Sequence, residues 1–416
     1  MPLVVRPGGE PANAQGVGMT LAKALTLLAL TAFSACGSGG THEAPMPTAP
    51  ISPGMSISPT PTSPSSPTPP SPAPTGAVPI AWAVGSRQIL RSDDGGLTWS
   101  VETGVQVNAV AFADRSNGWI VGAATTGGHL LHTTDGGEHW HDEISNLAAP
   151  SPLFVDVAVL DAQHAVAVGS ENGFLQPHDF HRGPPVAVVT QDGGATWQRA
   201  PLGGADLNQL RDVALGSVCL TATGPGLATG TDVDTFVQTL VLLTHDSGNT
   251  WTDITSRLPA VPLARTACAG DTDLWFAGGS STLLHSGDGG ATWSDLSANL
   301  PADIAIGAVK FRDALVGWLA ADDAVSGSGP RLVAFQTLDG GQHWQEHVLK
   351  DGVGELSLGL DFLGQRVIVV AEDLHPLSIP RSSFGLSFAS TDGGETWAET
   401  VHPEPINALW DVTLVP

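Results

Sequence analysis

The chain has 416 residues and a formal charge of −25, an acidity that repels phosphate backbones and anionic lipid headgroups and so speaks against nucleic acid as a partner. Gly (50) and Pro (32) are abundant and Lys is scarce, a composition of many turns and few solvent-facing helices. Tyr is absent, and the three Cys show no Cys-x-x-Cys or Cys/His zinc spacing.

Residues 19–36 read MTLAKALTLLALTAFSAC. Lys23 precedes a twelve-residue apolar stretch, Ala24 to Ala35, which is short for a membrane span and ends in small residues before Cys36. The run resembles a bacterial lipoprotein signal with Phe33-Ser34-Ala35-Cys36 as its lipobox. Residues 1–36 are therefore expected to be a signal peptide, with Met19 as the true start. Cys36 is expected to become the acylated first residue of a chain exported to the bacterial cell envelope. Residues 37–77 are almost only Gly, Ser, Thr, Pro and Ala, which cannot bury a core and read as a disordered tether. Pro-rich chain of about 40 residues, at about 3 Å each at most, lets a folded body stand on the order of 100 Å from the bilayer.

From residue 78 onward the pattern Ser/Thr-x-Asp-x-Gly-x-Thr/His-Trp recurs seven times. Its acids are Asp94, Asp135, Asp192, Asp246, Asp288, Asp339 and Asp392, and its indoles are Trp99, Trp140, Trp197, Trp251, Trp293, Trp344 and Trp397. Successive Asp residues are 41 to 57 apart, the spacing of propeller blades. The carboxylate is expected to fold back onto the N–H groups of its own turn, the Gly to adopt positive φ, and the Trp to open the next strand and bury a large apolar surface.

A second element lies upstream of most turns. Val110-Ala-Phe112-Ala-Asp114 precedes Gly118-Trp119-Ile120-Val121-Gly122, and Val309-Lys-Phe311-Arg-Asp313 precedes Gly317-Trp318-Leu319-Ala320. These read as an innermost strand, a turn and a second strand; with the strands flanking the Asp turn each unit has four, which is one blade. The first unit, starting at Ala81-Trp82-Ala83-Val84-Gly85, lacks an inner strand, and the last Asp turn is followed by an orphan, Asp411-Val412-Thr413-Leu414-Val415. The expected fold is all-β, a seven-bladed β-propeller of four-stranded blades over 78–416, closed by the C-terminal strand completing the first blade. Closure removes exposed sheet edges.

These units resemble Asp-box, or BNR, repeats. The combination Val-x-Phe-x-Asp, Gly-Trp-x-Val-Gly and Thr-x-Asp-Gly-Gly-x-Thr-Trp is similar to the photosystem II stability/assembly factor family of seven-bladed propellers. That resemblance implies a protein-binding propeller and a mainly architectural box. Asp boxes also occur in sialidases, xyloglucanases and sortilin-type receptors, so the box does not fix function. Sialidases of this fold use a Tyr nucleophile with a Glu and three Arg; without Tyr an ordinary sialidase is excluded. Xyloglucanases resembling it place substrate between two propellers, and this chain supplies one. A calcium loop is not expected, because the alternating acidic ligands and terminal Glu are missing.

Asp turns occupy one propeller face. The connections entering each inner strand and those joining second to third strands occupy the other, and four of the latter read as long: about 170–185, 224–235, 322–330 and 372–383. Long loops on a rigid scaffold commonly carry binding. Aligning the starts of the inner strands places Asn108, Asp156, Arg211, Asp212, Arg265, Trp410 and Asp411 near the channel mouth on that face. This mixed ring suits a basic peptide, a sugar or a cation, and equally a hydrated channel of mutually paired charges. His178-Asp179-Phe180-His181 and the pair Asp232/Asp234 read better as solvated loop residues than as metal ligands, so no metal and no cofactor is expected. Cys219 and Cys268 read as lying on a second strand and on the next inner strand. Either a disulfide or two buried thiols fits them.

The sequence thus points to a non-enzymatic, monomeric envelope lipoprotein whose loop-rich face recognises a protein or cell-envelope glycan. The alternative is a glycan-active enzyme of the glycoside hydrolase kind working through channel-mouth carboxylates.

Overall fold

A computed structural model describes residues 78–416 apart from 86–87, 104, 125–126, 148–151, 172–182, 205–212, 233–238, 260, 262–263, 279–280, 324–330, 352–354, 375–382 and 403–407. The signal peptide, Cys36 and the tether lie outside the described residues, as do His178-Asp179-Phe180-His181, Arg211, Asp212 and Asp234.

Seven antiparallel sheets succeed one another along the chain. We number them as blades 1 to 7 and number the strands of each from the inside out. Blade 1 is closed as expected. The C-terminal strand Leu409–Val415 forms its inner edge and pairs with Ile80–Gly85, followed by Gln88–Ser92 and Ser100–Thr103. Blade 4 carries a fifth, outermost strand, Leu202–Gly203, which pairs parallel with Trp251–Asp253.

Second strands are buried along nearly their whole length, because blades pack on both of their faces; Ala165–Ser170 is buried at every position. Large rings fill the seams between blades. Trp82 of blade 1 stacks on Phe112 of blade 2 with centroids 5.4 Å apart, and Trp275 of blade 5 repeats the contact on Phe311 of blade 6 at 3.9 Å.

The seven boxes share one hydrogen-bond pattern. In blade 4 the Thr244 hydroxyl donates to Asp246 Oδ1 (2.8 Å) and accepts the Gly248 N–H (3.0 Å). The Thr250 N–H donates to Asp246 Oδ1 (2.8 Å) and the Thr250 hydroxyl to Oδ2 (2.7 Å). Where His replaces Thr, its Nδ1 takes over the second contact, as His139 does with Asp135 and His343 with Asp339, both at 2.7 Å. Hydrogen bonds from their own turns hold Asp135, Asp288, Asp339 and Asp392 down to about 2. Gly is required at the fifth position of the pattern: Gly137 has φ of 88°, and a Cβ there would lie 2.2 Å from the Trp82 ring.

The boxes of blades 2 to 7 also hydrogen-bond the turn between first and second strands of their own blade. Gly136 donates to the Ser116 carbonyl, Gly340 to that of Leu315 and Gly393 to that of Gln365. Both kinds of turn therefore lie on one face, the Asp-box face. The connections between second and third strands lie on the opposite, loop-rich face.

Blade 4 differs from its sequence reading. Its inner strand is Val213–Leu220 and its second strand Gly226–Asp232, so Cys219 is on an inner strand and most of 224–235 is strand rather than loop. The Gly-Pro-Gly run at 224–226 looks like a long loop, but it closes a tight turn in which the Thr221 N–H donates to the Pro225 carbonyl at 2.7 Å. With both cysteines on neighbouring inner strands, Cα–Cα is 5.5 Å and Cys219 and Cys268 form a disulfide.

Candidate functional site

The inner strands surround a central cavity of about 360 Å³. Five of them carry a bulge at the same height: the register shifts at Val155, Gly216, Gly307, Leu358 and Trp410. A bulge turns the next side chain across the strand edge. That next position holds Asp156, Ser217, Ala308, Gly359 and Asp411, and pairing with the second strand places Arg265 at the same level in blade 5. Trp410 and Asn108 sit one residue nearer the loop-rich face.

The structure thus brings Asn108, Asp156, Arg265, Trp410 and Asp411 together on the cavity wall. Arg211 and Asp212 are outside the described residues; in blade 4 the bulge and the position after it are Gly216 and Ser217.

Four of these side chains reach across to the next blade, and with Ser217, Lys310, Asp361 and a disulfide they close every seam of the ring. Asp411 of blade 1 accepts the Val110 N–H of blade 2 at 2.9 Å. Asn108 Nδ2 of blade 2 donates to the Phe154 carbonyl of blade 3 at 2.7 Å. Asp156 of blade 3 accepts the Val218 N–H of blade 4 at 2.8 Å. Blade 4 is tied to blade 5 by the Thr266 N–H donating to Ser217 Oγ at 3.1 Å, and by the disulfide. Arg265 Nε of blade 5 donates to the Gly307 carbonyl of blade 6. Lys310 of blade 6 pairs with Asp361 of blade 7 at 3.7 Å, and Asp361 accepts the Leu414 N–H of blade 1 at 2.8 Å.

Lys310, Asp361 and Ser217 were not singled out from sequence. Lys310 and Asp361 share the middle position of Val309-Lys-Phe311 and Leu360-Asp-Phe362, an available signal, since that position alternates away from the buried flanking residues.

The acids here are already committed. Asp156, Asp361 and Asp411 each accept two backbone N–H groups, one on each oxygen: their own neighbour's at 2.8 to 2.9 Å and the next blade's at 2.8 to 2.9 Å. Burial, and then the nearby Asp156 charge, push Asp411 up to about 7, while burial also raises Asp156. The Asp361 carboxylate raises Lys310, whose side chain is 51% exposed to the channel. Arg265 spends only Nε on the tie described, and the Trp410 indole N–H makes no hydrogen bond among the described residues. At Gly216 an added Cβ would meet no atom within 4 Å, so the channel mouth is open over blade 4.

Among the described residues one grouping has metal-ligand chemistry, the exposed trio Asp135, Glu138 and His139. Both oxygens of Asp135 are occupied within its own box, so the trio is accounted for as a turn.

No protein-family model matches the chain, and a search of curated proteins finds no match. Solved structures do share the fold. "YCF48 bound to D1 peptide" is 19% identical, with a TM-score of 0.50, over 78% of this chain and 88% of that one. YCF48 from Cyanidioschyzon merolae is 18% identical, with a TM-score of 0.49, over 80% and 98%. A GH74 xyloglucanase from Xanthomonas campestris is 16% identical, with a TM-score of 0.48, over 77% of this chain and 47% of its own. The likeness to the first of these shows the fold, a propeller of the kind the sequence resemblance implies.

Proposed function

We propose that this chain is a non-enzymatic binding propeller of the cell envelope, which takes a protein or envelope polymer at the channel mouth on its loop-rich face. The observation that carries this reading is the double commitment of Asp156, Asp361 and Asp411 to backbone amides. A carboxylate holding two such bonds is poorly placed to take and release a substrate proton. What remains available at the mouth is recognition chemistry: the Trp410 indole and the spare Arg265 nitrogens, with open space at Gly216. A propeller of this fold that holds a peptide is a precedent for such use. Export fits the disulfide, which persists in oxidising compartments, and accords with lipid anchoring at Cys36.

The test is a pull-down from solubilised envelope of the host, with the full chain as bait beside a Gly216→Trp variant. The added Cβ meets no atom within 4 Å, so the substitution starts in open space, and an unfolding midpoint equal to the parent's is the check that the variant is folded. A specific partner captured by the first and lost by the second supports the reading; equal capture by both overturns the mouth as the site.

One observation favours the alternative of a glycan-active enzyme: Asp411 is raised to about 7, as general acids are. Release of reducing sugar from a glycan panel, abolished by Asp411→Asn or Asp212→Ala, would establish it.

A further inference from the structure

Both described ends of the propeller emerge on the Asp-box face. The inner strand of blade 1 runs from Leu409 to Val415 toward that face, and Arg115, in the first turn of blade 2, donates to the carbonyls of both Pro416 and Val78. Whatever precedes Val78 therefore leaves from the Asp-box face at blade 1.

The exposed apolar side chains lie in the blade of that exit and in the two blades before it in the ring. Among the described residues the large exposed hydrophobics are Val78, Leu97, Val101, Leu315, Leu338, Val348, Leu363 and Val401, and all belong to blades 6, 7 and 1, which are contiguous in the ring. Four are leucines at the Asp-box face, three in turns and Leu363 at the end of the inner strand of blade 7: Leu338 is 65% exposed, Leu315 56%, Leu97 39% and Leu363 36%. They are not isolated: Arg366, beside Leu363, donates to the Asp94 carbonyl in the turn that carries Leu97. The repeat supplies an internal control. The turn residue that accepts the box N–H is Leu315 in blade 6 but Ser116, Gln163, Gly224 and Thr272 in blades 2 to 5 and Gln365 in blade 7, and the residue before the box Asp is Leu338 in blade 6 but Asp93, Thr134, Gln191, His245, Gly287 and Thr391 in the others. Nothing in the box requires leucine there, and grouped exposed leucines mark a contact surface.

We infer that the Asp-box face of blades 6, 7 and 1 docks on a lipid surface with uncharged headgroups and holds the loop-rich face away from the bilayer. The inference rests on the reading of Cys36 as a lipid anchor; the tether itself leaves the orientation free, but it joins the body on this face, so the face can meet the anchoring membrane without the chain having to wrap around the propeller. Leucine side chains gain by leaving water at the headgroup boundary, whereas a chain of charge −25 is repelled by anionic headgroups. A partner at the channel mouth then remains accessible from the side facing away from the membrane.

Amide hydrogen exchange tests this, on the acylated full chain bound to phosphatidylcholine vesicles and on the full-length Cys36→Ser chain free in solution. The expected result is several-fold slower exchange in the 94–98, 313–317, 337–342 and 363–366 turns on vesicles. A Leu315→Glu/Leu338→Glu variant should remain on the vesicles but lose the slowing in its turns. Both leucines are exposed, so the variant keeps its core. Vesicle-bound chain that shows no slowing there, or slowing on the loop-rich face instead, overturns the docking while leaving the anchor intact. Slowing that follows protein concentration without vesicles would identify a second copy as the occupant and also overturn it. A chain that bears no acyl mass at Cys36 and does not float with vesicles overturns the anchor reading, and the docking with it.

Discussion

Asp411 accepts the Val110 N–H at 2.9 Å, so the last strand of the chain ties the first blade to the second across 301 residues. Its other oxygen holds the Val412 N–H at 2.9 Å.

Asp411→Ala leaves two amides without acceptors beside buried Val110 and Val412. A cost of about 1–3 kcal/mol per orphaned group is expected. The urea midpoint should fall, with the slope of the transition unchanged. Trp410→Ala, which breaks no tie, should leave the midpoint nearer that of the parent. Equal loss in both would show that packing, rather than the carboxylate, closes this seam.

Stability should depend on pH with opposite signs at the two kinds of Asp. Asp411 sits at about 7 in the fold, against about 4 for an ordinary carboxylate, so the folded state binds its proton more tightly. Its contribution is present at acid pH and is lost as pH rises from about 4 to about 7. The box acids Asp135, Asp288, Asp339 and Asp392, held to about 2, contribute stability that is lost as pH falls from about 4 toward 2. Buried His402, lowered to about 4, loses stability as pH falls from about 6.5 to about 4 and so opposes Asp411 where their ranges overlap. The Asp411 effect is therefore read as a difference between parent and Asp411→Asn unfolding midpoints at pH 5 and pH 8. The gap between parent and variant should narrow at pH 8, because charging Asp411 in its buried site beside Asp156 costs the parent stability that the neutral variant does not lose; an unchanged gap refutes the titration.

Reducing the Cys219–Cys268 bond frees a loop of sequence separation 49, for which chain entropy suggests at most about 4 kcal/mol of lost stability. Thermal unfolding of the parent should shift down with a thiol reductant. The Cys219→Ser/Cys268→Ser double variant should start from the lower value and ignore the reductant.

Glycines of positive φ should differ in tolerance. Gly364 has φ of 62° and open space where a Cβ would go, so Gly364→Ala should cost about 1 kcal/mol of backbone strain. Gly137→Ala adds a collision with the buried Trp82 ring and should cost about 1–3 kcal/mol more. Similar unfolding midpoints for the two variants would mean that Trp82 gives way easily.

The fold was legible because the box is local. Asp246 finds its partners between Thr244 and Thr250, so each copy is visible as a short string, and seven copies with an orphan strand imply a closed ring. Blade 4 was misread where local signals mislead: Gly-Pro-Gly at 224–226 marks a tight turn and a long loop equally well. That error moved Cys219 off the inner strand and concealed how near it lies to Cys268.

The candidate site was legible as a set of residues and not as a set of jobs. Aligning inner strands brought Asn108, Asp156, Arg265, Trp410 and Asp411 to one place, because repeats put equivalent residues at equivalent heights. What each does depends on partners 42 to 301 residues away, from the Gly307 carbonyl at Arg265 to the Val110 N–H at Asp411. By itself the sequence determined seven blades, their closure and the residues on the channel wall, since these follow from interactions within a turn and from periodicity along the chain. Only the tertiary structure decided that the channel acids hold neighbouring blades together, that the two cysteines are bonded, and that exposed leucines share a face with the chain's exit, because each depends on distances between strands that are remote in the chain.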